Sequence, residues 1–159
     1  MKRFLKKSVA VLLSVLVICS SGIYSLAAAV ETKEAQIFIK QNIDGAMHDA
    51  SEGGIFAALW DMAEYSGTGL DIDLRHISVK QEIIEICELF NINPYILDSM
   101  GCLLMTCENG CDIVNIMKQN GIEAAVIGKI TDGNNRIIHN TEEDRYLGLP
   151  EQDEIYRFI

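Results

Sequence analysis

The sequence predicts a layered α+β domain with a mixed sheet, and two kinds of pattern support this fold class. Apolar residues recur at helical spacing in residues 55–64 and 79–90. Short, strongly apolar runs, typical of buried strands, cover residues 101–107 and 123–130. Helices alternate with strands, but turn-forming residues near the end of the chain predict a hairpin, which favours a mixed sheet over a purely parallel one.

The first half of the chain predicts two helices and one strand. Residues 31–41 are polar and typical of a helix, and a loop follows over residues 42–54. The next helix begins at Ile55 and ends near residues 66–69, where two glycines interrupt the pattern. Residues 70–74 alternate apolar and acidic side chains, as a strand with one buried face does.

An amphipathic helix is predicted for residues 79–90, with Ser78 as its N-cap. The side chains expected to face inward are Ile83, Ile84, Ile86, Cys87 and Phe90. After a break, residues 94–99 predict a short helical turn, and residues 101–107 predict a buried strand.

The last part of the chain predicts a helix, a buried strand and a hairpin. The helix covers residues 111–120 and ends at Gly121, and residues 123–130 form the strand. Residues 131–135 have hairpin-turn chemistry, so residues 136–139 are expected to return as an antiparallel strand.

Length and composition indicate one globular domain with an acidic surface. The chain has 159 residues, of which 49% are hydrophobic and 23% are charged. Four basic and no acidic residues lie in the first 29 positions; removing these four from 13 leaves nine basic against 23 acidic residues, a formal charge of −14 for residues 30–159. Such a body repels nucleic acid and anionic membrane surfaces, which excludes nucleic acid as a main partner.

The first 29 residues have the pattern of a secretory signal peptide. Residues 1–7 are basic, residues 9–19 are apolar except for Ser14, and the three alanines at 27–29 supply a cleavage site before Val30. The uncharged run over residues 8–30 is also just long enough to span a bilayer as an uncleaved anchor. The chain is therefore expected to be secreted or membrane-anchored, with residues 30–44 as a linker helix before a domain at 45–159.

Residues 45–54 hold the candidate binding site, directly before a predicted helix. The candidate ligand-binding residues are His48, Asp49, Ser51, Gly53 and Gly54. Glycines at a helix N-terminus let backbone N–H groups approach an anion, and the partial positive charge of the helix end favours it. In the alternative interpretation Asp49 or Ser51 is an N-cap and the two glycines only permit tight packing.

Residues 45–159 resemble the C-terminal domain of the AIR synthase superfamily, and are most similar to its AIR synthase-related and hydrogenase-maturation (HypE-like) branch. The order and spacing of several segments carry this resemblance. These segments are residues 47–54, 58–67, 69–73, 86–90, 93–95 and 125–133.

The resemblance implies a three-layer α/β/α domain with a mixed, partly ferredoxin-like sheet, here preceded by an N-terminal apolar helix. It implies dimeric enzymes that bind ATP and Mg²⁺ and activate a carbonyl or amide oxygen by phosphorylation. By position, the His48-Asp49…Gly53-Gly54 loop would face substrate or nucleotide. No catalytic residue and no metal ligand is assigned.

Two departures from the family limit what the resemblance implies. The N-terminal half that supplies most metal-binding acids does not appear, and the chain ends in Phe158-Ile159 where the hydrogenase branch carries a reactive cysteine. The first hypothesis is an isolated C-terminal domain without independent catalysis. It either binds a small anionic ligand weakly, a nucleotide or a phosphorylated small molecule, or completes a site with a partner, which is a separate N-terminal half or the second copy in a homodimer. The alternatives are one fragment of a split ATP-dependent enzyme, and an exported binding or structural protein that reuses the fold. If residues 1–29 are not a signal, the family implies a cytosolic protein.

The cysteine spacing does not predict a zinc site. Cys102, Cys107 and Cys111 form C-x4-C-x3-C, whereas structural zinc prefers two close pairs. Cys102 and Cys107 are expected on opposite faces of one strand. Reduced, half-buried thiols are favoured, and a local Cys107–Cys111 disulfide is the alternative in an exported protein.

Overall fold

The computed structural model describes residues 32–141 and 143–158, together with the backbone of residues 14–19. Over these ranges the chain forms seven strands, four α-helices and two 3₁₀ helices. The strands are β1 Ser14–Cys19, β2 Met47–Ala50, β3 Gly69–Asp73, β4 Cys102–Cys107, β5 Ala124–Thr131, β6 Arg136–His139 and β7 Asp144–Tyr146. The helices are α1 Lys33–Lys40, α2 Gly54–Ser66, α3 Gln81–Phe90 and α4 Gly110–Gln119, with 3₁₀ helices at Leu74–His76 and Glu154–Arg157.

All described strands belong to one mixed sheet, in the order β2-β4-β1-β5-β3-β6-β7. Every neighbouring pair is antiparallel except β3 and β6, which are parallel. The predicted α+β class with a mixed sheet is thereby confirmed.

Helices cover both faces of this sheet. Leu104 packs with Leu59 of α2 in one buried cluster, while the preceding residue, Leu103, packs with Phe38 of α1 and Met117 of α4 in another. Successive residues of a strand point to opposite faces, so these two clusters are the two sides of one sheet. As predicted, Cys102 and Cys107 also contribute to opposite sides.

The expected N-terminal apolar helix is wrong for Ser14–Cys19, which form a strand in the middle of the sheet. This strand, β1, pairs antiparallel with β4 on one side and with β5 on the other. The sequence S-V-L-V-I-C is rich in β-branched residues, which favour a strand that hydrogen-bonds on both edges. The remainder of the predicted signal segment, residues 1–13 and 20–29, lies outside the described residues.

Several local predictions are also corrected. The predicted loop over residues 42–54 contains a short edge strand, β2, because residues 47–50 pair with β4. Strand β6 does form, but it pairs in parallel with β3 rather than as a hairpin with β5, because β3 lies between them. Residues 94–99 form turns without a helix. The N-cap of α3 is Lys80, which makes no side-chain cap, so the predicted Ser78 cap is wrong.

The predicted inward face of α3 is largely exposed. Cys87 is buried, but the exposed fractions are 41% for Ile83, 52% for Ile86 and 52% for Phe90, and Ile84 is half-buried. None of these residues belongs to either core cluster. The pattern identified an apolar side correctly, yet that side does not pack into the domain.

In the part of the chain that the structure describes, no helix has both the length and the apolar character needed to cross a membrane.

Candidate functional site

His48 lies on the edge strand β2 and forms a solvent-accessible pair with Asp61 of α2. It stands opposite Leu104 in the register of β2 and β4, on the side of the sheet that α2 covers. The His48 Nε2 atom lies 3.7 Å from Asp61 Oδ2, and the two side chains are 34% and 47% exposed. Both groups therefore remain available to a ligand at the sheet edge.

Asp49, the next residue, stands opposite Leu103 and so faces the other side of β2. Burial raises the pKa of the Asp49 carboxyl above its usual value; His48 opposes this shift and the negative charge of Asp98 adds to it. His48 and Asp49 are neighbours at one sheet edge, but their side chains do not point the same way.

The residues from Ser51 to Gly54 form a tight connection between β2 and α2. The Ser51 carbonyl accepts hydrogen bonds from Gly54 N–H at 3.0 Å and from Ser99 N–H at 3.2 Å. Gly54 has a φ of +66°, and a Cβ atom there would lie 2.6 Å from the carbonyl oxygens of Tyr95 and Leu97. The glycine is needed because the segment around residues 95–97 approaches the backbone closely.

The N-terminus of α2 is capped by the chain's own groups. Its N-cap is Gly53, so the alternative that Asp49 or Ser51 caps this helix is wrong. The Gly53 N–H donates to Asp153 Oδ2 at 2.9 Å, and the Phe56 N–H donates to the Tyr95 carbonyl at 3.1 Å. The expected external anion therefore meets donors that are already bonded in this structure.

Asp153 was not singled out by sequence reasoning. Its side chain is 2% exposed, and its Oδ1 atom accepts from the Ile155 N–H at 2.9 Å. The signal available in the sequence was an Asp that caps the short helix Glu154–Arg157, but the contact with Gly53 spans 100 residues. The same segment also reaches Glu52, whose hydrogen bond with Tyr156 raises the pKa of that phenol.

A groove of about 420 Å³ lies beside the α2 N-terminus. Gly53, Phe56, Arg145 and Glu151 contribute to its walls. The Arg145 guanidinium carbon lies 5.4 Å from the centroid of the Phe56 ring, which in turn stacks on Tyr95 at 5.2 Å. Arg145 supplies a positive charge near Gly53, at the end of the predicted loop. Sequence reasoning missed this residue because it lies on β7, far from the loop along the chain.

A second polar cluster lies on the sheet away from this loop. His139 Nδ1 lies 2.6 Å from Asp144 Oδ1, and its Nε2 lies 3.0 Å from Asp71 Oδ1. Lys129 Nζ is 3.3 Å from Asp71 Oδ2. The hydrogen bond with Asp144 and the charges of both carboxylates raise the pKa of His139. Asp71 is therefore paired on two sides, with His139 and with Lys129.

The described cysteines are mostly free. Cys87, Cys107 and Cys111 are free thiols, so the alternative Cys107–Cys111 disulfide is not formed. Cys102 is disulfide-bonded. Burial raises the pKa of the Cys87 and Cys107 thiols. Among the residues that the structure describes, no group of three or more His, Cys, Asp or Glu side chains is arranged to hold a metal ion.

Comparison with known proteins adds a family model and several relatives. The model described as AIR synthase related protein, C-terminal domain, matches residues 16–140. A putative hydrogenase expression/formation protein of Methanocaldococcus jannaschii is 29% identical over 117 residues, which is 70% of this chain and 35% of that relative.

Solved structures of HypE share the fold. Escherichia coli HypE, a hydrogenase maturation protein, superposes with a TM-score of 0.73 at 22% identity, over 93% of this chain and 53% of that one. A HypE structure in complex with ATP gives a TM-score of 0.72 at 15% identity, over 89% of this chain and 52% of the other. The chain spans between 26% and 35% of the length of the first curated relatives and about half of these HypE chains.

Proposed function

This chain belongs to the family of AIR synthase-related C-terminal domains, and on that premise we propose that it is the ligand-facing half of a nucleotide-binding site without catalysis of its own. The other half would come from an N-terminal AIR synthase-type domain. The observation that carries the proposal is the family match over residues 16–140 together with coverage of only about half of each HypE neighbour.

The edge of the sheet at β2 supplies the ligand contacts in this proposal. His48 and Asp49 carry titratable side chains at the end of the sheet, with His48 34% exposed. Arg145 lies on β7, at the opposite edge of the sheet, beside Phe56 in the groove at the α2 N-terminus, where it supplies a positive charge for a phosphate. Ser51, Gly53 and Gly54 act through their backbone, because they fix the connection between β2 and α2 rather than offering free donors.

ATP is the nucleotide to test first, with Mg²⁺ as its counter-ion. A HypE structure with a similar fold is described as a complex with ATP. An acidic chain needs compensating positive charge to hold a triphosphate, and a partner domain or Mg²⁺ would supply more than Arg145 alone. Catalysis would then depend on groups that the partner brings.

We further propose that residues 14–19 stay with the domain, in place of removal as part of a signal peptide. Two observations support this proposal: β1 lies between β4 and β5, and the family match begins at residue 16. Loss of β1 would leave the facing edges of two strands without hydrogen-bond partners. Intact mass of the native protein tests the point, since a chain that begins at Val30 would contradict it.

The proposed site is tested by titration of Mg-ATP into the chain together with an N-terminal half of a HypE relative. His48→Ala and Asp49→Asn should each weaken binding at least tenfold. Both should leave the free energy of unfolding within about 1 kcal/mol, because both residues are only partly buried and neither belongs to a core cluster. Asp132→Asn, an exposed carboxylate elsewhere, is the matched control. Unchanged affinity in both site variants would overturn the assignment of these residues.

A further inference from the structure

Among the helices and strands that the structure describes, α3 carries the largest group of exposed apolar side chains. The exposed fractions are 41% for Ile83, 52% for Ile86, 77% for Leu89 and 52% for Phe90; these four side chains are called the α3 surface below. Ile83, Ile86 and Phe90 follow the spacing i, i+3, i+7, so they lie on one stripe of the helix. Contiguous exposed apolar side chains of this kind mark interaction sites.

The α3 surface continues into a concave region. A groove of about 480 Å³ begins at Ile83 and is lined further by Lys80, Tyr95, Leu97 and Met100. Met100 is itself 55% exposed. At the other end of the helix, Phe90 makes an edge-to-face contact with Phe158 at 5.8 Å between ring centroids, and both rings remain more than half exposed. A partner would therefore find a convex apolar stripe beside a recess.

We propose that the α3 surface is the docking face for the N-terminal AIR synthase-type half, whether that half is carried on a separate chain or on a longer form of this one. This inference rests on the proposed function, because it assumes that such a half completes the domain. The HypE structures with the same fold have chains about twice as long as the part that this chain matches, so in those proteins the matched domain has a neighbouring segment of similar length.

Charge favours this occupant over a second copy of the chain. The helix carries Glu82, Glu85 and Glu88 and no basic residue, and the whole chain has a formal charge of −10. A symmetric dimer through α3 would bring two sets of glutamates together, and like charges across an interface oppose association. A partner with basic residues around an apolar centre has the complementary arrangement.

Association of purified proteins tests the proposal. Separate N-terminal halves of E. coli HypE and of the M. jannaschii relative serve as probes, after each has been shown to bind its own C-terminal half. Ile86→Glu and Leu89→Glu should each weaken association with this chain at least tenfold, because a charge enters the apolar centre of the interface. Tyr65→Glu is the control: Tyr65 is 87% exposed on α2, outside the α3 surface, and its variant should associate as the wild type does.

The outcomes separate the docking face from the site. If the wild type and both α3 variants associate equally well, the docking face is wrong while the proposed function stands. If His48→Ala loses Mg-ATP binding but still associates, while Ile86→Glu and Leu89→Glu weaken association, both are supported. If the wild type associates with neither half, both are overturned. If the wild type forms a homodimer and Ile86→Glu dissociates it, the occupant of the α3 surface is a second copy of the chain. If the α3 variants unfold, the chain itself covers this surface. Either result contradicts the proposal.

Discussion

Removal of the Asp153 carboxylate should destabilise the domain strongly, although this residue lies in a polar segment near the end of the chain. Asp153 is 2% exposed and accepts two backbone hydrogen bonds, from Gly53 and from Ile155, both at 2.9 Å. In Asp153→Ala both donors lose their partner, and the Gly53 N–H is left buried at the N-terminus of α2.

The expected size follows from these contacts. A hydrogen bond to a charged group contributes about 1.5–3 kcal/mol, and a negative charge at a helix N-terminus contributes about 0.3–1 kcal/mol. Because such terms are not fully additive, Asp153→Ala should lower the free energy of unfolding by about 3–5 kcal/mol. In a chain of this size that corresponds to a fall in Tm of roughly 6–20 °C. Asp153→Asn keeps one acceptor oxygen and should lose about half as much.

Urea unfolding monitored by circular dichroism, with a parallel thermal scan, measures the effect. Glu151→Ala is the matched control, because it removes an exposed carboxylate two residues away and should change stability by less than about 0.5 kcal/mol. An Asp153→Ala variant as stable as Glu151→Ala would refute the reasoning. The segment after β7 would then not hold the start of α2 in place.

Two further predictions concern backbone geometry and pH. Gly54→Ala should lower the free energy of unfolding by at least about 2 kcal/mol, because it combines left-handed strain with contacts of 2.6 Å to two carbonyl oxygens. Gly67 has the same φ of +66° but no atom within 4 Å of the added Cβ, so Gly67→Ala should lower it by only about 1 kcal/mol. Equal losses in unfolding experiments would contradict the packing argument. His139 lies between Asp144 and Asp71, with Lys129 beside Asp71, and its pKa is raised in the folded state. The stabilising effect of the protonated imidazole is therefore complete below the unfolded pKa of about 6.5 and is lost as pH rises through the folded pKa. The stability difference between wild type and His139→Gln should therefore shrink as pH rises above about 6.5 and through the folded pKa, and a difference that stays constant with pH would rule out this role.

Local patterns in the sequence predicted most of the helices and strands. The apolar spacing of α2 and the alternation of β3 depend on neighbouring residues, so sequence alone was sufficient to place them. Gly67 ends α2 in the left-handed conformation, as the pattern indicated.

Features that depend on distant residues were not predictable in the same way. Strand β2 has only four residues and exists because β4 pairs with it, and β6 joins β3 because β3 lies between β5 and β6. The apolar run that contains β1 satisfies the pattern of a signal peptide and of a central strand equally well, since both require a run of uncharged, apolar residues. Only the partner strands distinguish the two.

In the candidate site, too, local features were predictable from the sequence and long-range contacts were not. The sequence identified His48, Asp49 and the two glycines, but it could not show that Asp153 bonds to Gly53 or that Arg145 lies beside Phe56. For α3 the spacing identified an apolar side, while the exposure of Ile86 and Leu89 depends on what the rest of the fold leaves uncovered. The contacts of Asp153 and of Arg145 join residues 100 and 89 positions apart, and contacts over such separations leave no local signal.

The central claim is that this chain holds one half of a nucleotide site, and paired calorimetric titrations of Mg-ATP test it most directly. One titration uses the chain alone and the other uses the chain with an N-terminal half of a HypE relative, the half alone serving as the blank. We predict little or no binding to the chain alone and at least tenfold tighter binding to the pair than to the half by itself. Binding to the half that this chain does not change, or equally tight binding to the chain alone, would contradict the account.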